Sequence, residues 1–120
     1  MLAIAWHQFE GLPASAFDVP IEYFEAGLDW LKRRTGRRRV AVWGSSRGSE
    51  AAVLTAARRS ADVSALIAWV PTYLAHPGLN GVGGRDYAAE GEALWTVAGA
   101  PAPTIRFQPR SPAAEAERAD

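Results

Sequence analysis

The chain has 120 residues, with 13 Lys and Arg against 13 Asp and Glu, and it contains no cysteine. Zero net charge removes the overall electrostatic case for nucleic acid or an anionic membrane as partner, and the missing cysteine removes disulfides, thiolate metal sites and redox switches. A hydrophobic share of 48% with 22% charged residues describes one ordinary globular domain, and the lack of thiols fits a reducing cytoplasm.

Leu2-Ala3-Ile4-Ala5-Trp6 is continuously apolar, as parallel strands covered on both faces are, and is expected to form the first strand. No basic stretch precedes it, and Gln8 and Glu10 follow too soon for a signal peptide, so no targeting segment is expected. After a loop with Gly11 and Pro13, Asp18-Val19-Pro20 should open a helix, Asp18 as cap and Pro20 in the first turn. Ile21, Phe24, Leu28 and Leu31 then form one apolar stripe at helical spacing. Lys32, Arg33 and Arg34 suit the negative end of that helix, and Gly36 sits where a left-handed terminating residue belongs.

Val40 to Trp43 gives the second strand, and the helix after it should run to about Arg59. Ser64 to Val70 gives the third strand, ending at Pro71. The longest apolar run, 65–71, is far too short to span a bilayer. Strand, helix, strand, helix, strand at this spacing predicts a parallel sheet with right-handed crossovers. Residues 76–103 are rich in Gly and Pro and are expected to be loops over the sheet, with residues 111–120 a short surface helix or a frayed tail.

Between the second strand and its helix stands Gly44-Ser45-Ser46-Arg47-Gly48, a G-x-S-x-G sequence. A nucleophile on a sharp strand-to-helix turn presents its oxygen at the end of the sheet. Small residues two before and two after it let strand and helix pass closely. Ser46 is the candidate nucleophile, and the backbone N–H of Arg47, at a helix N-terminus, is a candidate oxyanion donor. The bland alternative makes Ser46 a helix cap between two crowding-relief glycines.

The other chemistry-bearing residues are few. His7 ends the first strand on the functional side of a parallel sheet, while His76, before Pro77, suits a surface loop. Asp86 and Glu90 are loop carboxylates with no evident partner, and Glu50 is favourable in the first turn of its helix. Arg37, Arg38 and Arg39 could hold phosphates, though a solvated turn explains them better. Gly81-Val82-Gly83-Gly84 lacks the strand and helix that a dinucleotide loop needs. Trp6, Trp30, Trp43 and Trp69 are expected in core and sheet-edge packing.

Ile21-Glu22-Tyr23-Phe24-Glu25-Ala26-Gly27-Leu28-Asp29-Trp30-Leu31, followed by Val40 to Glu50, resembles the C-terminal catalytic domain shared by acyl-CoA thioester hydrolases and bile acid-CoA:amino acid N-acyltransferases. Leu2 to Trp6 with Gly11-Leu12-Pro13, Ser64 to Val70, and a looser echo in Leu94 to Pro103 extend the likeness to about residue 104. The resemblance implies an α/β-hydrolase that forms an acyl-enzyme and needs no cofactor or metal, with Ser46 attacking an acyl-CoA thioester. Serine at this position, where the vertebrate acyltransferases carry cysteine, favours water over an amine as acceptor. The sequence departs from the pattern after Val70, where neither the triad acid nor its histidine is found. The family's sheet order also places a strand absent from this chain between Leu2–Trp6 and Val40–Trp43.

The expected architecture is therefore a partial α/β-hydrolase: a short parallel sheet of three strands flanked by helices over residues 1–104, with a loop-rich final third and a surface tail at 105–120. The expected function is an acyl-CoA thioesterase-like serine hydrolase domain, a fragment without its own acid and base, showing no turnover above a Ser46→Ala control. A catalytically silent remnant or binding module, or a carboxylesterase or dienelactone-hydrolase relative, are the alternatives. Sheet edges without neighbours predict self-association.

Overall fold

The structure is a computed structural model that describes residues 1–13, 16–69, 79–80, 86–87 and 93–102. Its elements run β1 (Val19–Pro20), α1 (Ile21–Thr35), β2 (Val40–Ser45), α2 (Arg47–Arg58), β3 (Val63–Trp69), β4 (Leu79–Asn80), β5 (Asp86–Tyr87), β6 (Trp95–Val97) and β7 (Ala100–Pro101). The class is mixed α/β, two helices with small sheets. The tail at 105–120, His76 and Glu90 lie outside the described residues, as does most of the glycine-rich stretch.

Helix α1 forms on the expected stripe: Ile21 and Leu28 are buried, with Phe24 partly buried beside them. Gly36 ends it in the left-handed region at φ 68°, where a side chain would be strained. Its start differs from expectation. Asp18 does not cap; it sits at φ 49°, and its backbone N–H donates to Ala93 O at 2.9 Å. Pro20 takes the cap position with no side-chain hydrogen bond. Pairing of β1 with β6, Val19 opposite Trp95, has claimed the backbone that an Asp18 cap would need.

β2 and β3 pair in parallel from Ala41 opposite Ala65 to Ser45 opposite Trp69, joined through α2. This is the predicted strand–helix–strand unit, two residues longer in β2 than expected. The expected third member is missing from the sheet. Leu2–Trp6 forms no ladder with β2, and the sheet has two strands. The segment is held by α1 instead: the Tyr23 hydroxyl donates to Ala5 O at 2.9 Å, Ile4 packs on Gly27, and Trp6 meets Phe24 and Trp95. Among the described residues it is side-chain packing, not strand pairing, that fixes this segment. The final third is not all loop either. β6 and β7 make a hairpin through Ala98 and Gly99, both at positive φ as a two-residue turn requires, and β4 pairs with β5.

The core gathers Ala16, Ile21, Ala51, Leu94, Trp95 and Ala102, with Trp6 and Phe24 packed against it. Trp95 is its largest member, 1% exposed, whereas Trp43 and Trp69 are each 64% exposed and Trp30 is exposed too. Three of the four tryptophans expected in packing thus face outward. In a parallel pair, aligned residues share a face, so Trp43 with Ile67 and Ser45 with Trp69 form one side of the sheet. No described element covers that side. The other carries Gly44, buried against the start of α2.

Candidate functional site

Ser46 lies between the last residue of β2 and the first of α2. Its backbone is at φ 51°, ψ −123°, a region that L-residues other than glycine rarely occupy and that costs on the order of 1–3 kcal/mol. Three hydrogen bonds hold it there. The Ser46 N–H donates to Trp69 O at 3.0 Å, closing the β2–β3 ladder, and Ser46 O accepts from the Ser49 N–H at 2.9 Å and from the Ser49 hydroxyl. The Ser46 side chain makes no capping hydrogen bond to α2, and the residue is exposed. The cap alternative is thereby removed: at the C-terminal end of the strand the hydroxyl has no hydrogen-bond partner among the described residues.

The turn is tight enough to specify one of its glycines. A Cβ on Gly44 would sit 2.1 Å from Gly48 O and 2.8 Å from Ser49 Cα. A Cβ on Gly48 would meet nothing within 4 Å, so the expectation that both positions must be small holds for Gly44 alone. The asymmetry is geometric: Gly44 looks into the helix, while Gly48 turns its free hydrogen outward.

Arg47 is the first helical residue, so its N–H is one of those with no intrahelical acceptor, beside the positive end of the α2 dipole. Its guanidinium donates to Glu50 Oε1 at 3.0 Å, and Glu50 Oε2 accepts from Trp95 Nε1 at 2.9 Å. Glu50 is 5% exposed. A carboxylate favourable on dipole grounds alone thus proves to be a buried bridge between the elbow helix and the β6 hairpin. Nothing local signals it, because its partner stands 45 positions away.

A groove of about 760 Å³ is lined by Ser46 together with the N-terminal segment, β2 and residues of α1 and α2. Successive residues Val40 to Ser45 all line it, so it faces the backbone edge of the strand rather than one side of the sheet. Leu2, Ile4, Phe24, Leu28 and Leu31 make it apolar. His7 also lines it, bringing the one described histidine into the same groove as Ser46. Its ring lies 4.2 Å from Trp6, and its Nδ1 is buried without a hydrogen-bond partner among the described residues. No carboxylate orients it there.

The remaining candidates fall elsewhere. Arg37, Arg38 and Arg39 precede β2, at the end of the strand opposite Ser46. Six residues at about 3.3 Å each put them roughly 20 Å from the serine. Asp86 belongs to β5, paired with β4, and Gly81–Gly84 lies outside the described residues. Among the described residues no three of His, Cys, Asp or Glu come together as metal ligands would, and no described helix is long and apolar enough to cross a membrane. No protein-family model, curated protein or solved structure matches the chain.

Proposed function

We propose that this chain carries the nucleophile elbow of a serine hydrolase resembling the acyl-CoA thioesterases, with Ser46 as the residue that is acylated. The observation that carries the reading is the backbone of Ser46: a non-glycine residue held at φ 51° between a parallel strand and a helix, its hydroxyl uncommitted. In the proposed reaction Ser46 Oγ attacks the thioester carbonyl and its proton passes to a base. The carbon–sulfur bond breaks, the thiol leaves protonated, and water then releases the acid from the acyl-serine. The Arg47 N–H and the α2 dipole offset the negative charge that develops on the carbonyl oxygen. The apolar groove that Ser46 helps to line suits the acyl chain. It also lies where the resemblance calls for a further strand, which supports the α/β-hydrolase reading of the fold.

A catalytically silent domain is the second reading, favoured by His7, whose buried Nδ1 has no hydrogen-bond partner among the described residues. Without an oriented imidazole a serine hydroxyl is a weak nucleophile. Added imidazole separates the two. Fluorophosphonate labelling is expected to be slight in buffer, to rise at least about tenfold with added imidazole, and to vanish in Ser46→Ala. A folded sample that takes no label with imidazole, or that takes it on another residue, would defeat the elbow reading.

A further inference from the structure

Zero net charge conceals a strongly uneven distribution. Residues 29–39 and 59–62 hold seven cations, Lys32, Arg33, Arg34, Arg37, Arg38, Arg39 and Arg59, against two carboxylates, Asp29 and Asp62. Both carboxylates are already engaged. Lys32 pairs with Asp62, and Arg59 bridges Asp29 and Asp62. Arg39 is committed too, its guanidinium donating to Val63 O. These contacts fix the walls of an open concavity of about 860 Å³ between the C-terminal end of α1 and the turn that joins α2 to β3. Arg33, Arg37 and Arg38 line it, with no ion pair to a described carboxylate. Three cations of the last turn, Lys32 to Arg34, answer the negative end of the α1 dipole. Arg37 and Arg38 come after Gly36, past the helix, and are not accounted for in that way.

We infer that this concavity is an anion site for a diphosphate group, held by Arg33, Arg37 and Arg38 on a frame built from Lys32, Arg59 and Asp62. The choice of ligand follows from the side chains. Guanidinium forks match phosphate oxygens in pairs, and three forks lining one concavity suit a group that carries more than one phosphate charge. A lone monoanion would use one fork and leave the others repelling each other. Asp62 does not oppose the ligand, because Lys32 and Arg59 already neutralise it. The site lies at the opposite end of β2 from Ser46 and stands independently of the function proposed for that residue.

Calorimetric titration of the full chain with inorganic pyrophosphate tests the inference. Saturable binding is expected at low salt, at least about tenfold tighter than to orthophosphate, and weakening as salt is raised. The double variant Arg37→Ala/Arg38→Ala should bind at least about tenfold less tightly while keeping its thermal midpoint, since both side chains are exposed. Arg37→Lys/Arg38→Lys keeps the charge and removes the forks, and should recover only part of the loss. No saturation at low salt, equal affinity for orthophosphate, or undiminished binding by the alanine variant would each overturn the site.

Discussion

At the scale of single residues, the elbow separates two glycines that look alike in the motif. Gly44→Ala forces a methyl carbon onto the backbone of Gly48 and Ser49, which no side-chain rotation relieves. A loss of about 3 kcal/mol or more in urea unfolding is expected, at the upper end of overpacking costs. Gly48→Ala places its methyl in open space on the first turn of α2 and should be neutral or stabilising by up to about 1 kcal/mol. Equal destabilisation of the two variants would show that the close approach at Gly44 is not real. Glu50 makes a second residue-scale case. Glu50→Ala leaves the Trp95 N–H buried without an acceptor and unties Arg47, and should lower stability by about 2–4 kcal/mol. Glu50→Gln retains one amide oxygen for Trp95 and should recover part of this. Near-UV circular dichroism, which reports the packing of Trp95, distinguishes the two.

Between elements, ion pairs bind α1 to α2 and to the turn before β3. Asp62 is held below its ordinary value near 3.8, first by hydrogen bonding to Lys32 and then to Arg59. Asp29 is lowered chiefly by its hydrogen bond to Arg59. Glu22, which accepts from the Ala98 N–H at 2.9 Å and ties α1 to the β6–β7 turn, is lowered chiefly by that bond. All three have depressed folded-state values, so their contribution is present above the unfolded carboxylate range and is lost as pH falls through the folded one. Urea midpoints should be level above about pH 5 and fall steadily below about pH 4, with a smaller fall in Asp62→Asn. The same fall in that variant would exclude the Lys32–Asp62–Arg59 cluster as its source. The effect should be modest and reduced by salt, because these groups remain partly exposed to solvent.

At the scale of the whole molecule, the two-stranded sheet packs α2 on one side and carries no described element on the other. Trp43, Ile67 and Trp69 lie together on the open side at 55–64% exposure, where tryptophan and isoleucine side chains normally find partners. Concentration-dependent self-association is expected in sedimentation velocity, and Trp43→Ser/Ile67→Lys should shift the chain toward monomer without loss of helical content. A monomer of unchanged sedimentation coefficient across a hundredfold concentration range would remove this expectation. The same incompleteness marks the edge of β2, where a groove takes the place of a third strand.

What the sequence determined by itself was governed by neighbours within a few positions. The α1 stripe, its Gly36 stop, the strands expected at 40–43 and 64–70 and found at 40–45 and 63–69, and the strand-to-helix turn at Ser46 follow from side-chain period, backbone permissiveness and motif spacing. Contacts between distant segments decided the rest. Leu2–Trp6 has the composition of a strand but lies along α1, because a ladder needs a partner edge within about 5 Å and composition cannot supply one. Trp95, placed among loop residues by its glycine-rich surroundings, is the centre of the core, while Trp43 and Trp69, strand residues by every local sign, face solvent. Hydrophobicity says which side chains gain from burial. Only the tertiary arrangement says which of them find something to be buried against.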